Sequence, residues 1–341
     1  MTTEAEAMAR ALELAATPGV PTGPNPRVGC VLLRPDGSVL AEGFHRGAGT
    51  PHAEVDALAR AGTDARGATA VVTLEPCNHS GRTGPCAQAL VEAGIRRVVF
   101  AQADPNPVAA GGAETLRAAG VDVVGGLLAE RAAALNDVWT FAVTHGRPVV
   151  TWKAATTLDG RVAAADGTSR WITSPEARAD VHELRSVVDA VVVGTGTVAA
   201  DDPHLAVRRD GAPAGGHQPL RVVVGHRDVR PGSRVLDDAA PTLHLRTHDP
   251  STVLAELTGR DVQHVLLEGG PTLAAAFVRA GLVDAVRWYV APALLGSGPG
   301  ALADAGMSTI SDALRLTVTG LALVGADVRI DARVVRAHEE D

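Results

Sequence analysis

Aromatic residues make up only 3% of this 341-residue chain, with four Trp, four Phe and a single Tyr. Its cores must therefore be filled by Ala, Val and Leu. Lysine is nearly missing, and the formal net charge is −8. A duplex or tRNA binder presents a basic footprint, so this balance favours a small-molecule substrate. The longest apolar runs, such as Ala190 to Val193 and Val265 to Leu267, fall far short of the ~20 residues that span a membrane. The N-terminal stretch MTTEAEAMARALELA carries acidic residues where a secretory leader would be basic and then apolar. Together these features lead us to expect a cytoplasmic protein. Cysteine is scarce too: Cys30, Cys77 and Cys86 are too few for a disulfide framework and read as ligands or buried thiols.

The composition that remains is that of an ordinary globular protein, 46% hydrophobic and 21% charged, long enough for two cores. Residues 4–16 show helical spacing, and Val28 to Leu33 with Val39 to Glu42 frame a Pro35-Asp36-Gly37 hairpin turn. A helix is expected from Thr50-Pro51 to about Ala61, with Thr50 as its cap. Strands then alternate with helices up to one long helix near 127–142, the pattern of an α/β layered sheet. His145-Gly146-Arg147-Pro148 suits a boundary, giving expected domains of 1–145 and 146–341. The second half repeats the α/β alternation, with strands near 149–155, 190–193, 221–224, 243–246, 264–267 and 286–291, and helices near 175–186 and 272–280. The Gly/Pro-rich stretch 211–219 reads as a surface loop.

The first half carries one concentrated piece of chemistry. His52-Ala53-Glu54 falls at a helix start, Pro76-Cys77 follows a strand, and Cys86 opens the next helix. A catalytic zinc keeps three protein ligands and leaves its fourth place to water, whose pKa it lowers toward ~7. Glu54 is then free to take the water's proton and return it to departing ammonia. H-x-E followed by P-C-x-x-C is the zinc-deaminase signature, here stretched to eight residues between Cys77 and Cys86. The competing reading is a structural zinc, which needs a fourth ligand that only His79 offers. His79 itself reads as a loop histidine, a ligand or a substrate contact, the last preferred. Cys30 lies in a strand and reads as a small core residue.

The string Thr73-Leu-Glu-Pro-Cys-Asn-His-Ser-Gly-Arg-Thr-Gly-Pro-Cys86, with Pro24-Asn25-Pro26 and Val28-Gly29-Cys30, resembles the bifunctional riboflavin-biosynthesis deaminase/reductase family. Lys153, Leu158-Asp159-Gly160-Arg161, Trp171-Ile172-Thr173-Ser174, Ala200-Asp201-Asp202-Pro203 and Glu268-Gly269-Gly270-Pro271-Thr272-Leu273 are similar to its reductase motifs. The resemblance implies a cytidine-deaminase-like α/β/α domain followed by a dihydrofolate-reductase-like α/β domain. It also implies one zinc ion, NADPH, and association into a homodimer or higher homo-oligomer. The first domain would deaminate a phosphoribosylamino-pyrimidinone, and the second would reduce its ribose to a ribityl chain. Asn25 and His79 would then contact the pyrimidine, with Arg82 and Thr83 nearby. Thr156, Trp171, Thr197, Asp201, Gly270, Pro271 and Thr272 would hold the cofactor. Ser169, Arg185, Leu205, Arg208 and Glu268 would line the reductase substrate site. The chain departs from the family pattern at Ser80, at Gly84 and at Gly225-His226, the last near the expected cofactor.

Read from its own residues, the reductase half offers two glycine loops. Gly194-Thr195-Gly196-Thr197-Val198-Ala199 imitates a dinucleotide fingerprint, but Asp201-Asp202-Pro203 cuts the following helix short, so a Rossmann domain is excluded. Glu268-Gly269-Gly270-Pro271-Thr272-Leu273 runs from strand into helix, where free N–H groups and the helix dipole suit a phosphate. Lys153, near a strand end, is a candidate proton-supplying or electrostatic group, and Arg227 a candidate for a cofactor 2′-phosphate. NADH stays open as the alternative cofactor. The alternative functions are a deaminase of another base fused to a degenerate reductase, and an RNA-editing or binding protein.

Overall fold

The computed structural model describes residues 1–20, 23–79, 84–209 and 212–335. Two compact units emerge, Met1–Gly146 and Arg147–Asp341. No helix among the described residues is long and apolar enough to cross a membrane.

The first unit runs α1 (Glu4–Ala15), β1 (Gly29–Leu33), β2 (Val39–Phe44), α2 (Ala53–Ala61), β3 (Thr69–Leu74), α3 (Cys86–Glu92), β4 (Arg97–Gln102), α4 (Gly112–Ala118), β5 (Asp122–Gly125), α5 (Ala129–Leu135) and α6 (Asp137–His145). Its five strands lie in the order β2-β1-β3-β4-β5, antiparallel around β1 and parallel from β3 to β5. Strand β1 is buried along its whole length because helices cover both faces. Met8 and Leu12 of α1 pack on one face, while Cys30, Ala53 and Ala57 belong to the cluster on the other.

Close approach of helix to sheet is set by glycine. A Cβ on Gly43 would sit 2.4 Å from the Ala53 carbonyl oxygen, so only glycine lets α2 settle on β2. That contact fixes the height of the helix start, where His52 and Glu54 lie. The expected cap is corrected here. Helix α2 begins at Ala53 with His52 as N-cap, and the Thr50 hydroxyl is spent on Gly47 O (2.7 Å). The expected single helix over 127–142 is two. Asn136 breaks it because its buried side chain leaves the helix to grip the Arg27 backbone, accepting from N (2.8 Å) and donating to O (2.9 Å).

The second unit contains β6 (Val149–Thr157), α7 (Pro175–Arg185), β7 (Ala190–Gly194), α8 (Thr195–Asp201), β8 (Arg208–Arg209), β9 (Ala212–Pro213), β10 (Leu220–Val224), β11 (Thr242–Leu245), α9 (Pro250–Thr258), β12 (His264–Leu267), α10 (Pro271–Arg279), β13 (Ala285–Ala291), β14 (Leu316–Val324) and β15 (Asp327–Val334). Eight strands form one sheet, β11-β10-β7-β12-β6-β13-β15-β14. The six from β11 to β13 are parallel, and the β14–β15 hairpin closes one edge antiparallel. The runs Ala190 to Val193 and Val265 to Leu267 are buried on both faces, which is why they read as continuous apolar segments. The expected glycine loop after β7 is corrected here: Thr195-Gly196-Thr197-Val198-Ala199 lie inside α8, which starts directly after Gly194 and stops at Asp202, φ 41°, ahead of Pro203. The stretch read as a surface loop over 211–219 contributes β9, paired with β8.

Candidate deaminase and reductase sites

In the first unit three ligand atoms converge. His52 Nδ1 stands 3.3 Å from Cys86 Sγ and 3.6 Å from Cys77 Sγ, and the Cys86 N–H donates to Cys77 Sγ at 3.4 Å. Bond lengths of ~2.3 Å to sulfur and ~2.0 Å to nitrogen place tetrahedral ligand atoms about 3.5 Å apart, so this trio fits zinc. Among the described residues it is the one His/Cys/Asp/Glu group close enough to hold a metal. The hydrogen bond to Cys86, and then His52, draw the Cys77 thiol below its ordinary value, while that same bond and burial push Cys86 up.

Glu54 is 3% exposed, and burial pushes its carboxyl up to about 7. A carboxyl at that value exchanges protons readily near neutral pH. The loop bearing Cys77 is held from below. Glu75 accepts from Ala113 N (3.0 Å) and Asp104 N (3.2 Å), and Gly112 passes so close to Pro76 that a Cβ would meet its carbonyl at 1.7 Å. His79 is half-buried with its Nδ1 enclosed and without a hydrogen-bond partner among the described residues, a group that a bound ring would satisfy. Ser80, Arg82 and Thr83 lie outside the described residues. Cys30 is fully buried in the core.

A residue that sequence reading passes over sets the state of Asn25. His45 is 4% exposed, its ring edge-on to His52 with centroids 5.4 Å apart. Its Nδ1 lies 3.0 Å from the Pro51 carbonyl, which can only accept, so Nδ1 carries the proton. Burial lowers its pKa and keeps the ring neutral, leaving Nε2 to accept from Asn25 Nδ2 at 3.0 Å. The Asn25 carbonyl oxygen is thereby left as an acceptor. His45→Gln loses the fixed tautomer, and we expect the deaminase KM to rise about tenfold with kcat little changed. An equal fall in kcat at constant KM would contradict this positioning role.

In the second unit the candidate groups gather where parallel strands end, the usual ligand edge of an open α/β sheet. Thr156 is the last residue but one of β6, Thr197 lies in α8 just after β7, and Glu268 follows β12, with β12 between β7 and β6, whereas Lys153, expected near a strand end, stands in the middle of β6. The first turn of α8 and the loop after β12 are tied together, since Gly270 N donates to Thr197 Oγ1 at 3.2 Å. Gly270 caps α10, with Pro271 at its first turn and Thr272 exposed beside it. Thr156 is buried, its hydroxyl accepting from Trp288 Nε1 at 2.9 Å. Trp171 is 68% exposed, with the Arg178 guanidinium 4.3 Å above its ring. Ser169 is half-buried two residues before it, and the Asp201 carbonyl accepts from Arg170.

Glu268 and Arg185 form a two-pronged pair, Nε to Oε1 at 2.6 Å and Nη2 to Oε2 at 2.9 Å. Arg208 N donates to His182 Nδ1 at 3.2 Å, and the buried Arg208 Nε has no hydrogen-bond partner among the described residues. Burial, then Arg185 and Arg208, bring His182 down to about 4. Leu205 differs from the rest. Its side chain is 3% exposed in a core cluster with Leu184 and Val198, and its φ is 60°. Only its backbone can serve a site. At Gly225 a Cβ would lie 2.6 Å from Thr195 Oγ1, so glycine there lets the β10 loop close on α8.

A zinc-binding deaminase unit joined to a reductase built on a mostly parallel sheet is the class this architecture defines. Residues 1–102 match the cytidine and deoxycytidylate deaminase zinc-binding region, and residues 148–330 match the RibD C-terminal domain. Riboflavin biosynthesis protein RibD of Mycobacterium tuberculosis is 51% identical over 325 residues, covering 95% of each chain. The Escherichia coli protein of that name is 41% identical over 94% of this chain and 96% of its own. Acinetobacter baumannii RibD superposes with a TM-score of 0.86 at 39% identity, over 98% of this chain and 99% of that one. A Thermotoga maritima structure named as a diaminohydroxyphosphoribosylaminopyrimidine deaminase/5-amino-6-(5-phosphoribosylamino)uracil reductase gives 0.85 at 34%, over 97% and 99%. The chain belongs to the RibD family of bifunctional riboflavin-biosynthesis deaminase/reductases. Its cofactors are zinc in the deaminase unit and NADPH in the reductase unit.

Proposed function

We propose that residues 1–145 deaminate diaminohydroxyphosphoribosylaminopyrimidine and that residues 146–341 then reduce the 5-amino-6-(5-phosphoribosylamino)uracil so formed. The observation that carries the first step is a buried Glu54 beside the His52, Cys77 and Cys86 trio. These three residues hold the zinc, which supplies a water acidic enough to be deprotonated near neutral pH. Glu54 receives that proton on its carboxylate and passes it to the departing amine. Asn25 accepts from a ring N–H through the oxygen that His45 leaves free, and the His79 imidazole meets a polar edge of the ring.

In the reductase unit the Arg185–Glu268 pair and Ser169 orient the sugar, with Arg208 and Arg185 receiving its phosphate. Leu205 shapes this site through its backbone. Lys153 donates a proton or field at the reacting end. Thr156, Trp171, Thr197, Asp201, Gly270, Pro271 and Thr272 hold NADPH, the free N–H groups at the α10 start suiting its phosphates. With the diaminopyrimidine supplied, ammonia is expected first and NADPH oxidation after it. NADPH loss preceding ammonia would overturn the proposed order.

The small-molecule enzyme acts, in this reading, as a cytoplasmic homodimer or higher homo-oligomer. Three free cysteines suit a reducing compartment. Strand β14 is an uncovered sheet edge that exposes Val318 (60%), Leu321 (71%) and Leu323 (78%). Leu321→Lys with Leu323→Lys is expected to convert the dimer to monomer in light scattering. An unchanged mass would place the interface elsewhere.

A further inference from the structure

Helix α6 begins at a residue whose side chain does not cap it. Asparagine at a helix start ordinarily spends its side chain on the free N–H groups of that helix. Asn136 is the N-cap of α6, yet its carboxamide makes no capping bond. It is 4% exposed and turned onto Arg27, 109 residues earlier, accepting from N at 2.8 Å and donating to O at 2.9 Å. A primary amide offers the same donor and acceptor as a peptide group, so it pairs with Arg27 as a neighbouring strand would.

Arg27 stands two residues after Asn25, and the chain between them is stiff. Pro26 has its φ fixed, and a residue that precedes proline is biased to extended backbone, which restricts Asn25. A displacement of the Arg27 peptide is therefore passed on to Asn25 rather than absorbed. The same segment is also fastened to the sheet. His45 N donates to Val28 O at 2.9 Å, and Gly29 N donates to the buried Thr73 hydroxyl of β3 at 3.2 Å. The His45 ring then takes the Asn25 amide at 3.0 Å. Two of these holds come from the sheet and its edge, and Asn136 supplies one from the helical layer.

We propose that Asn136 is a positioning residue of the deaminase, which sets where the Asn25 carbonyl oxygen meets the substrate ring by holding the Arg27 peptide. The inference rests on the reading of Asn25 as a pyrimidine contact. The Asn136 carboxamide is spent on Arg27, so it acts through that peptide and not on the ring itself. Asn25 orients the ring before and during the reaction alike, so its displacement weakens binding more than it slows the chemical step.

The test is a double-mutant cycle on the full-length, zinc-loaded protein, read as ammonia release from the diaminopyrimidine. Asn136→Leu keeps the volume but offers Arg27 no partner, and Asn25→Ala removes the contact. Each alone should raise the deaminase KM about tenfold, the scale of one lost hydrogen bond, with kcat held within about twofold. Together they should raise KM no further than Asn25→Ala does alone, because one contact cannot be lost twice. Zinc content and reduction of supplied 5-amino-6-(5-phosphoribosylamino)uracil should stay constant throughout. Should Asn136→Leu lose zinc, Asn136→Ser carries the cycle, since its hydroxyl leaves room for a water to bridge to Arg27. Effects that multiply in the double variant, or a fall in kcat at constant KM, would overturn the inference and leave Asn136 a core residue only. An unchanged KM in Asn25→Ala would overturn the pyrimidine reading and the inference with it, whereas a raised KM there with full additivity overturns the inference alone.

Discussion

Replacing Glu54 by glutamine is expected to cut ammonia release by about 10²–10⁴-fold, the range that positioned acid/base groups supply. The amide would keep the shape of the buried side chain but could neither hold nor return a proton. Glu54 is not one of the three converging ligands, so zinc content should be unchanged. Reduction of supplied 5-amino-6-(5-phosphoribosylamino)uracil should also be unchanged, because Glu54 and Glu268 belong to different compact units. Zinc analysis and the two rates on one preparation check all three points. Retained deamination would remove Glu54 from the proton path. Lost zinc would instead make it a determinant of the metal site.

The second large effect is expected at Arg221, whose side chain is fully buried in β10. Its Nη1 donates to His204 O (3.2 Å), Arg234 O (3.3 Å) and Asp237 Oδ1 (2.7 Å), and its Nη2 donates to the carbonyls of Asp237 and Ala240. One guanidinium thereby fastens the segment after α8, which carries Leu205 and Arg208, to the loop before β11. Arg221→Met fills similar space but leaves several acceptors unpaired. Breaking a buried ion pair costs about 3–5 kcal/mol, and the partial exposure of Asp237 puts this case near 3 kcal/mol. For a unit of this size the thermal midpoint should fall by roughly 6–12 °C. The reductase KM should rise as Arg208 loses its fixed support, with ammonia release unaffected. An unchanged midpoint would show that water replaces these bonds without loss.

Much of the metal centre is legible in the linear chain because its chemistry is local. His52 and Glu54 are two residues apart at a helix start, and a thiol follows Pro76. The stretched interval to Cys86 is tolerated because the folded unit still brings the ligand atoms of His52, Cys77 and Cys86 together. His45 escapes notice for the opposite reason. Its role depends on a carbonyl six residues ahead and an amide twenty residues behind, and no spacing rule encodes a tautomer. Leu205 is expected at a site from its motif, yet the tertiary packing takes its side chain into the core. The β14–β15 hairpin and α9 are likewise unread in the pattern.

Residue type, short spacing and net charge are enough to establish a three-ligand metal cluster with a carboxylate beside it. They also establish that two α/β layers follow one another. None of these features needs folded geometry. Packing in three dimensions is what selects the imidazole nitrogen that faces Asn25, the residues that meet at the ends of β6, β7 and β12, and the surroundings of Lys153. Such facts arise when strands distant in sequence lie about 4.8 Å apart, because hydrogen bonding and burial act through space rather than along the chain.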